Sequence, residues 1–273
     1  MIRLFRLEWL KLKHYRPFWV MIVMYALCIT VVCSGVMLFM AYLKSEGADF
    51  NGIDPTIIPF YDYPDVWQNL TYLGSFFKVI LAFIVIISIA NETTFRTLRQ
   101  NIIDGLSFDD FLKSKLIFIF SIALAATTLL GIIGIVTASI YSHVQGFAYI
   151  FQSTSFLFAY LLGIFTYLTF AMMLTLLIPK TGLVIVGLFM YTLVFEPLLS
   201  TFIQHYPKTY DWLKPVPKYF PVMSIYYLIP IPFPRYVLME IQDYVSLKET
   251  LIVVGWLVFN IATSYFLLRI KDW

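Results

Sequence analysis

Glu196, in the run YTLVFEPLLS, and Lys78, in GSFFKVILAF, each interrupt a stretch that is otherwise apolar. A charged side chain at the centre of a bilayer costs on the order of 2.5 to 3.5 kcal/mol on insertion scales, so it marks a functional site by default. Three partners suit the Glu196 carboxylate: a substrate cation, a proton, or Lys78. In the last case both charges are structural. Asn260 and Ser264, one turn apart in another apolar run, are spaced to hydrogen-bond across helices.

A second concentration of chemistry is NETTFRTLRQNIIDGLSFDDFLKSKL, residues 91–116. Phe95, Leu98 and Ile102 form one stripe of a short helix, with Arg96 and Arg99 on another side. Asp104-Gly105 ends it, glycine supplying the left-handed conformation that closes helices. Ser107 then caps a new helix, and Asp110 three residues later fits a capping box that leads into Phe111, Leu112 and Lys115. Helix, sharp turn and helix, joined at both ends to apolar runs, suit docking or the transmission of force better than a flexible connection of about two to eight residues would. A plainer reading has Arg96 and Arg99 only marking which side of the membrane the loop occupies.

Other chemistries find little support. His143 and His205 have no cysteine, aspartate or second histidine at ligand spacing, and the carboxylates of residues 46–65 lack the regular spacing of a calcium loop, so no metal site is expected. There is no His-Glu-x-x-His and no Gly-x-Ser-x-Gly. Cys28 and Cys33 fall on different faces of one helix and read as packing residues. Asn69-Leu70-Thr71 matches a glycosylation acceptor, a weak tripeptide signal. A net charge of +3 is too small to argue for nucleic acid.

The elements that must position these residues follow from composition. The 273 residues are 60% hydrophobic and only 13% charged; a soluble domain is about 25% charged. The class is an all-α polytopic membrane protein. Six windows are long enough to cross a bilayer: 18–43, 71–90, 116–141, 154–178, 182–203 and 249–268. The first is too long for a signal peptide and is expected to remain as a span.

Lys and Arg gather in residues 1–16, in 91–115 and at the C-terminus, so both termini and the 91–115 segment are expected to be cytoplasmic. The five basic residues of the 204–248 loop dissent from this orientation. Phe5, Trp9 and Leu12 recur at helical spacing with Arg3, Arg6 and Lys13 beside them, which predicts an amphipathic helix on the membrane surface over 1–16. Residues 204–248 carry six prolines between Lys214 and Arg235. Their apolar part, Tyr219 to Phe233, is too short to span and is expected to dip into the outer interface as a re-entrant element or to anchor there.

On these residues the chain resembles the membrane subunit of an ABC transporter of the ABC-2 (type V exporter) class. Glu92, Thr97, Arg99, Asp104-Gly105, Ser107, Phe111 and Lys115 are similar to the acid, threonine, base, turn, serine and lysine of that family's coupling region, and RQNIIDGLS most resembles permeases of Bacteroidota. The six spans, interfacial helix, coupling helix and outer re-entrant element fit the same layout across the whole chain, as one transmembrane domain, 1–273. The resemblance implies a multi-pass protein of the bacterial cytoplasmic (inner) membrane, paired with a second permease copy or a related one and with a separate P-loop ATP-binding subunit.

It further implies that Glu92, Phe95, Arg96, Leu98, Arg99, Ile102, Asp104, Gly105, Ser107, Phe111 and Lys115 serve ATPase coupling, and that the cargo is an exported apolar or amphipathic compound. Glu196, Lys78 and Asn260 would lie on its pathway or form an intramembrane pair. The chain has no Gly-x-x-x-x-Gly-Lys-Ser/Thr loop, so ATP and magnesium are expected on the partner and no catalytic residue or cofactor here. The alternative is a non-transporting anchor that passes mechanical force within the same kind of complex.

Overall fold

The computed structural model describes residues 2–47, 59–94, 100, 103, 105, 107–144, 146–206, 210–232, 242 and 244–270. Every regular element among them is helical. α1 (Ile2–Leu12) leads into α2 (Arg16–Ser34), whose Pro17 occupies the first turn, where a backbone N–H would have no intrahelical partner anyway. α3 (Val36–Ser45) prolongs α2 beyond a break at Gly35. Then come α4 (Val66–Thr94), α5 (Phe108–Tyr141), α6 (Ser155–Leu177), α7 (Thr181–His205), the short α8 (Met223–Leu228) and α9 (Leu247–Ile270). Helices α2, α4, α5, α6, α7 and α9 are long and apolar enough to cross a membrane, as the sequence windows predict.

Three boundaries differ from the windows: 18–43 is divided into α2 and α3 at Gly35, α5 starts at Phe108 rather than near 116, and α4 starts at Val66 rather than near 71. Its first turns carry Gln68, Asn69 and Thr71, which lower the hydropathy of the window. Each is buried and bonded: Gln68 Nε2 donates to Pro230 O at 3.0 Å, Asn69 Nδ2 to Phe60 O at 2.6 Å, and Thr71 Oγ1 to Trp67 O at 2.6 Å. Polar groups satisfied in this way can be carried into a span. The same burial removes the glycosylation reading, because Asn69 is enclosed by protein.

The helices alternate in direction. One end of the bundle therefore carries α1, the end of α4, the start of α5 and the end of α9; it is called the basic end below. The other end carries α3, the connection between α5 and α6, and the segment containing α8. Apolar on every side, α6 is buried along most of its length, packing against α4, α5 and α9. Close approach of α4 to its neighbours depends on Gly74, where a Cβ would lie 2.4 Å from Leu130 Cδ1 and 3.2 Å from Tyr160 Oη. By contrast α2, α7 and α9 expose apolar side chains such as Val31, Phe195 and Phe266, the surface that lipid solvates.

Two spans are irregular where the charges sit. In α4 a tight 3₁₀ turn, Ser75–Phe77, immediately precedes Lys78. In α7 a π-helical turn, Tyr191–Phe195, precedes Glu196 and Pro197. Proline lacks the N–H that would bond to the preceding turn and clashes with its carbonyl, so the helix widens there. Wide turns of this kind re-aim side chains and are frequent at functional sites.

Candidate functional site

At the basic end the backbone forms the predicted turn. Gly105 has φ +95°. Ser107 Oγ accepts a hydrogen bond from Asp110 N at 3.1 Å and donates to Asp110 Oδ2 at 2.8 Å, completing the cap of α5. Phe95, Arg96, Leu98, Arg99, Ile102 and Asp104 lie outside the described residues.

The residues flanking the turn meet in a buried ionic junction. Lys115 Nζ donates to Glu8 Oε2 at 2.6 Å, to Glu92 Oε1 at 2.5 Å and to Ser88 Oγ at 3.2 Å. Lys11 Nζ reaches Glu92 Oε1 at 3.2 Å and Glu8 Oε1 at 3.4 Å, and Ser114 Oγ lies 3.3 Å from Glu8 Oε1. Glu8 and Lys115 are each 1% exposed and Glu92 is 5% exposed. Among the described residues, two carboxylates and two ammonium groups thus meet in a site nearly closed to water. Burial pushes the Glu8 carboxyl up, but the ammonium groups of Lys115 and Lys11 outweigh it and hold the group below its ordinary value.

This arrangement changes the roles read from sequence. Glu92, Phe111 and Lys115 are covered by protein instead of presenting a surface to a partner. The cause is α1, which packs on the first turns of α5 and contributes Glu8, a residue that sequence reasoning missed. It is the sole acid among residues 1–16, and that isolation within a basic amphipathic helix is the signal that could have found it. Leu12 is buried as the apolar stripe requires, and Trp9 packs edge-on against Phe18 and Trp19; the side chains of Arg3 and Phe5 are outside the described part.

At the other end a cleft of about 840 Å³ opens between α4, α7 and the segment that carries α8. Val222, Ile225 and Leu228 are buried, so this segment folds back into the bundle end. Glu196 fixes it: Oε1 accepts the backbone N–H groups of Val222 at 2.8 Å and of Met223 at 2.7 Å. Since Glu196 precedes the end of α7 at His205 by nine residues, the segment reaches about 13 Å into the bundle at 1.5 Å per residue.

Lys78 is fully buried and makes no ion pair with Glu196. Its Nζ has no hydrogen-bond acceptor among the described residues; it lies 3.6 Å from the ring centroid of Tyr226 and 5.3 Å from that of Tyr167. In place of a direct ion pair, the Lys78 ammonium lies over aromatic faces within the field of Glu196, one of whose carboxylate oxygens takes two N–H groups from the start of α8. Tyr167 in turn bonds Thr192 at 2.7 Å. Tyr226 carried no signal in the sequence beyond its aromatic surroundings.

No protein-family model and no curated protein matches this chain. Its function is thus argued from the two sites.

Asn260 belongs to neither site. It lies in the seam between α9 and α6, its Nδ2 3.4 Å from Thr166 O and 3.5 Å from Thr169 Oγ1. Ser264 Oγ donates to Asn260 O in its own helix at 2.7 Å, so only Asn260 reaches across. Among the described residues no three His, Cys, Asp or Glu side chains are grouped to hold a metal ion.

Proposed function

We propose that this polytopic membrane protein is the permease subunit of an ATP-driven transporter of the ABC-2 class, moving an apolar or amphipathic compound and driven by a separate P-loop ATP-binding subunit. The observation that carries the reading is the ionic junction of Glu8, Glu92 and Lys115. It ties the end of α4 and the start of α5 to each other and to α1, so the intervening segment 95–106 is set on a stiff frame. A partner that pushes on that segment moves two spans together instead of bending a loop. A passive connection needs no such frame.

The remaining parts fit the same reading. The α8 segment stands over a cleft at the far end, held by a hydrogen-bonded acid at its tip, and is placed to open or close as α4 and α7 shift. In this account the basic end faces the cytoplasm of a bacterial inner membrane, a second permease copy or a relative completes the pathway, and ATP and magnesium reside on the partner. Charge reversal tests the coupling: Arg99→Glu or Asp104→Lys should lower stimulation of the partner's ATPase by the permease while both chains remain in the membrane. Unchanged stimulation and unchanged ATPase binding in both variants would refute the assignment of this segment.

A further inference from the structure

We infer that the cleft beside α8 takes an amphipathic organic anion, whose acidic group pairs with Lys78 and whose apolar part lies on the aromatic wall. This deepens the proposed function by naming the class of compound the permease handles, and rests on that reading only for the step of transport.

The sign of the ligand follows from which buried charges already have partners. Glu196 Oε1 is held by two backbone N–H groups. Glu249, at the cleft wall, is surrounded by Ser246, Lys218 and Lys248. Glu196 Oε2 and Glu249 Oε2 have no hydrogen-bonding partner among the described residues, but each of these carboxylates is engaged through other contacts. The Lys78 ammonium, fully buried within a span, has no acceptor there at all. A buried ammonium over an aromatic face gains from the ring quadrupole, yet three N–H donors remain without an acceptor. An incoming carboxylate, sulfonate or phosphate supplies one, whereas an incoming cation does not.

The route is short. Tyr226 both contacts Lys78 Nζ and lines the cleft, so movement of one side chain joins the ammonium to the open volume. Tyr72, Phe76, Leu193 and Met223 supply aromatic and aliphatic surface for the rest of the molecule, and about 840 Å³ lies within the range of small-molecule sites.

The test uses the purified chain in phosphatidylcholine nanodiscs, without ATP, and three probes with one aromatic body: pyrenebutanoate, pyrenebutanol and pyrenebutyl trimethylammonium. Saturable binding above that of protein-free nanodiscs is expected for the carboxylate, with the alcohol and the cation weaker by about tenfold or more, the worth of a charge-assisted hydrogen bond. Lys78→Met, which exchanges an ammonium without an acceptor for an apolar chain of similar length, should reduce the carboxylate to the level of the alcohol. Leu193→Trp, which fills the cleft, should abolish binding of all three. Equal affinity for the three probes, or a preference for the anion that survives Lys78→Met, would overturn the inference. Binding is read on the permease alone, so failure here leaves coupling to an ATPase standing, and loss of that coupling leaves this site standing.

Discussion

Lys115 and Glu8, 107 positions apart in the chain, are bound at 2.6 Å in a site from which water is excluded. One is at the start of a membrane span and the other on the N-terminal helix. Their contact turns a helix that could rest on lipid into a fixed part of the bundle.

Removing the central cation should therefore be costly. Lys115→Met leaves the buried Glu8 and Glu92 without their shared buried cation, and breaking a buried pair from one side costs about 3–5 kcal/mol. Combining it with Glu8→Gln and Glu92→Gln should recover a large share of that loss, because neither buried carboxylate is then left charged without Lys115, and Lys11 is exposed enough for water to solvate it. Thermal unfolding of the detergent-solubilised variants measures both. Equal destabilisation by the single and the triple variant would contradict the ionic account.

The junction also has a pH dependence of defined sign. The Glu8 carboxyl is held below its ordinary value, so its contribution is present above the unfolded carboxylate range, about 4.3 for glutamate, and is lost as pH falls through the lower folded value. Lys11, Lys115 and Glu92 are the charged groups that face it. Hydrogen exchange in α1 should stay slow through neutral and mildly acidic pH and quicken only in stronger acid. In Glu8→Gln that acid transition should disappear from α1.

At the other end, Glu196→Ala should release the α8 segment. Two buried N–H groups would lose their acceptor, at about 1–3 kcal/mol for each. Faster hydrogen exchange across residues 222–228 is the expected result. Glu196→Gln keeps an acceptor oxygen and should lie between the wild type and the alanine variant; identical exchange in all three would show that the carboxylate does not hold the segment.

Gly74 tests the packing of the spans. Gly74→Val places branched bulk where a Cβ alone would lie 2.4 Å from Leu130 Cδ1, and overpacking of this kind costs about 1–3 kcal/mol. Adding Leu130→Ala should relieve part of it, which a double-variant comparison of unfolding midpoints would reveal.

What sequence makes legible here is what depends on neighbours along the chain. The six spans follow from unbroken hydropathy, and the turn at Gly105 with its Ser107–Asp110 cap follows from residues three positions apart. Polar residues whose partners come from distant segments were not legible. Asn69 reads as a sugar acceptor until Phe60 O is found against it, and Gln68 falls outside the 71–90 window although α4 buries it. Lys78 and Glu196 read as a pair because both interrupt apolar runs. Nothing in either run announces that the start of α8 will occupy the acid and Tyr226 the base. The cover of Lys115 was not legible for the same reason: α1 lies more than a hundred residues away.

The most direct test of the central claim is to purify the chain in mild detergent from its native host and weigh the intact complex by mass spectrometry, with ATP present. The account predicts a stoichiometric P-loop ATPase bound to the permease, lost when Arg99 and Asp104 are reversed in charge. A chain that purifies without an ATPase under these conditions would contradict it.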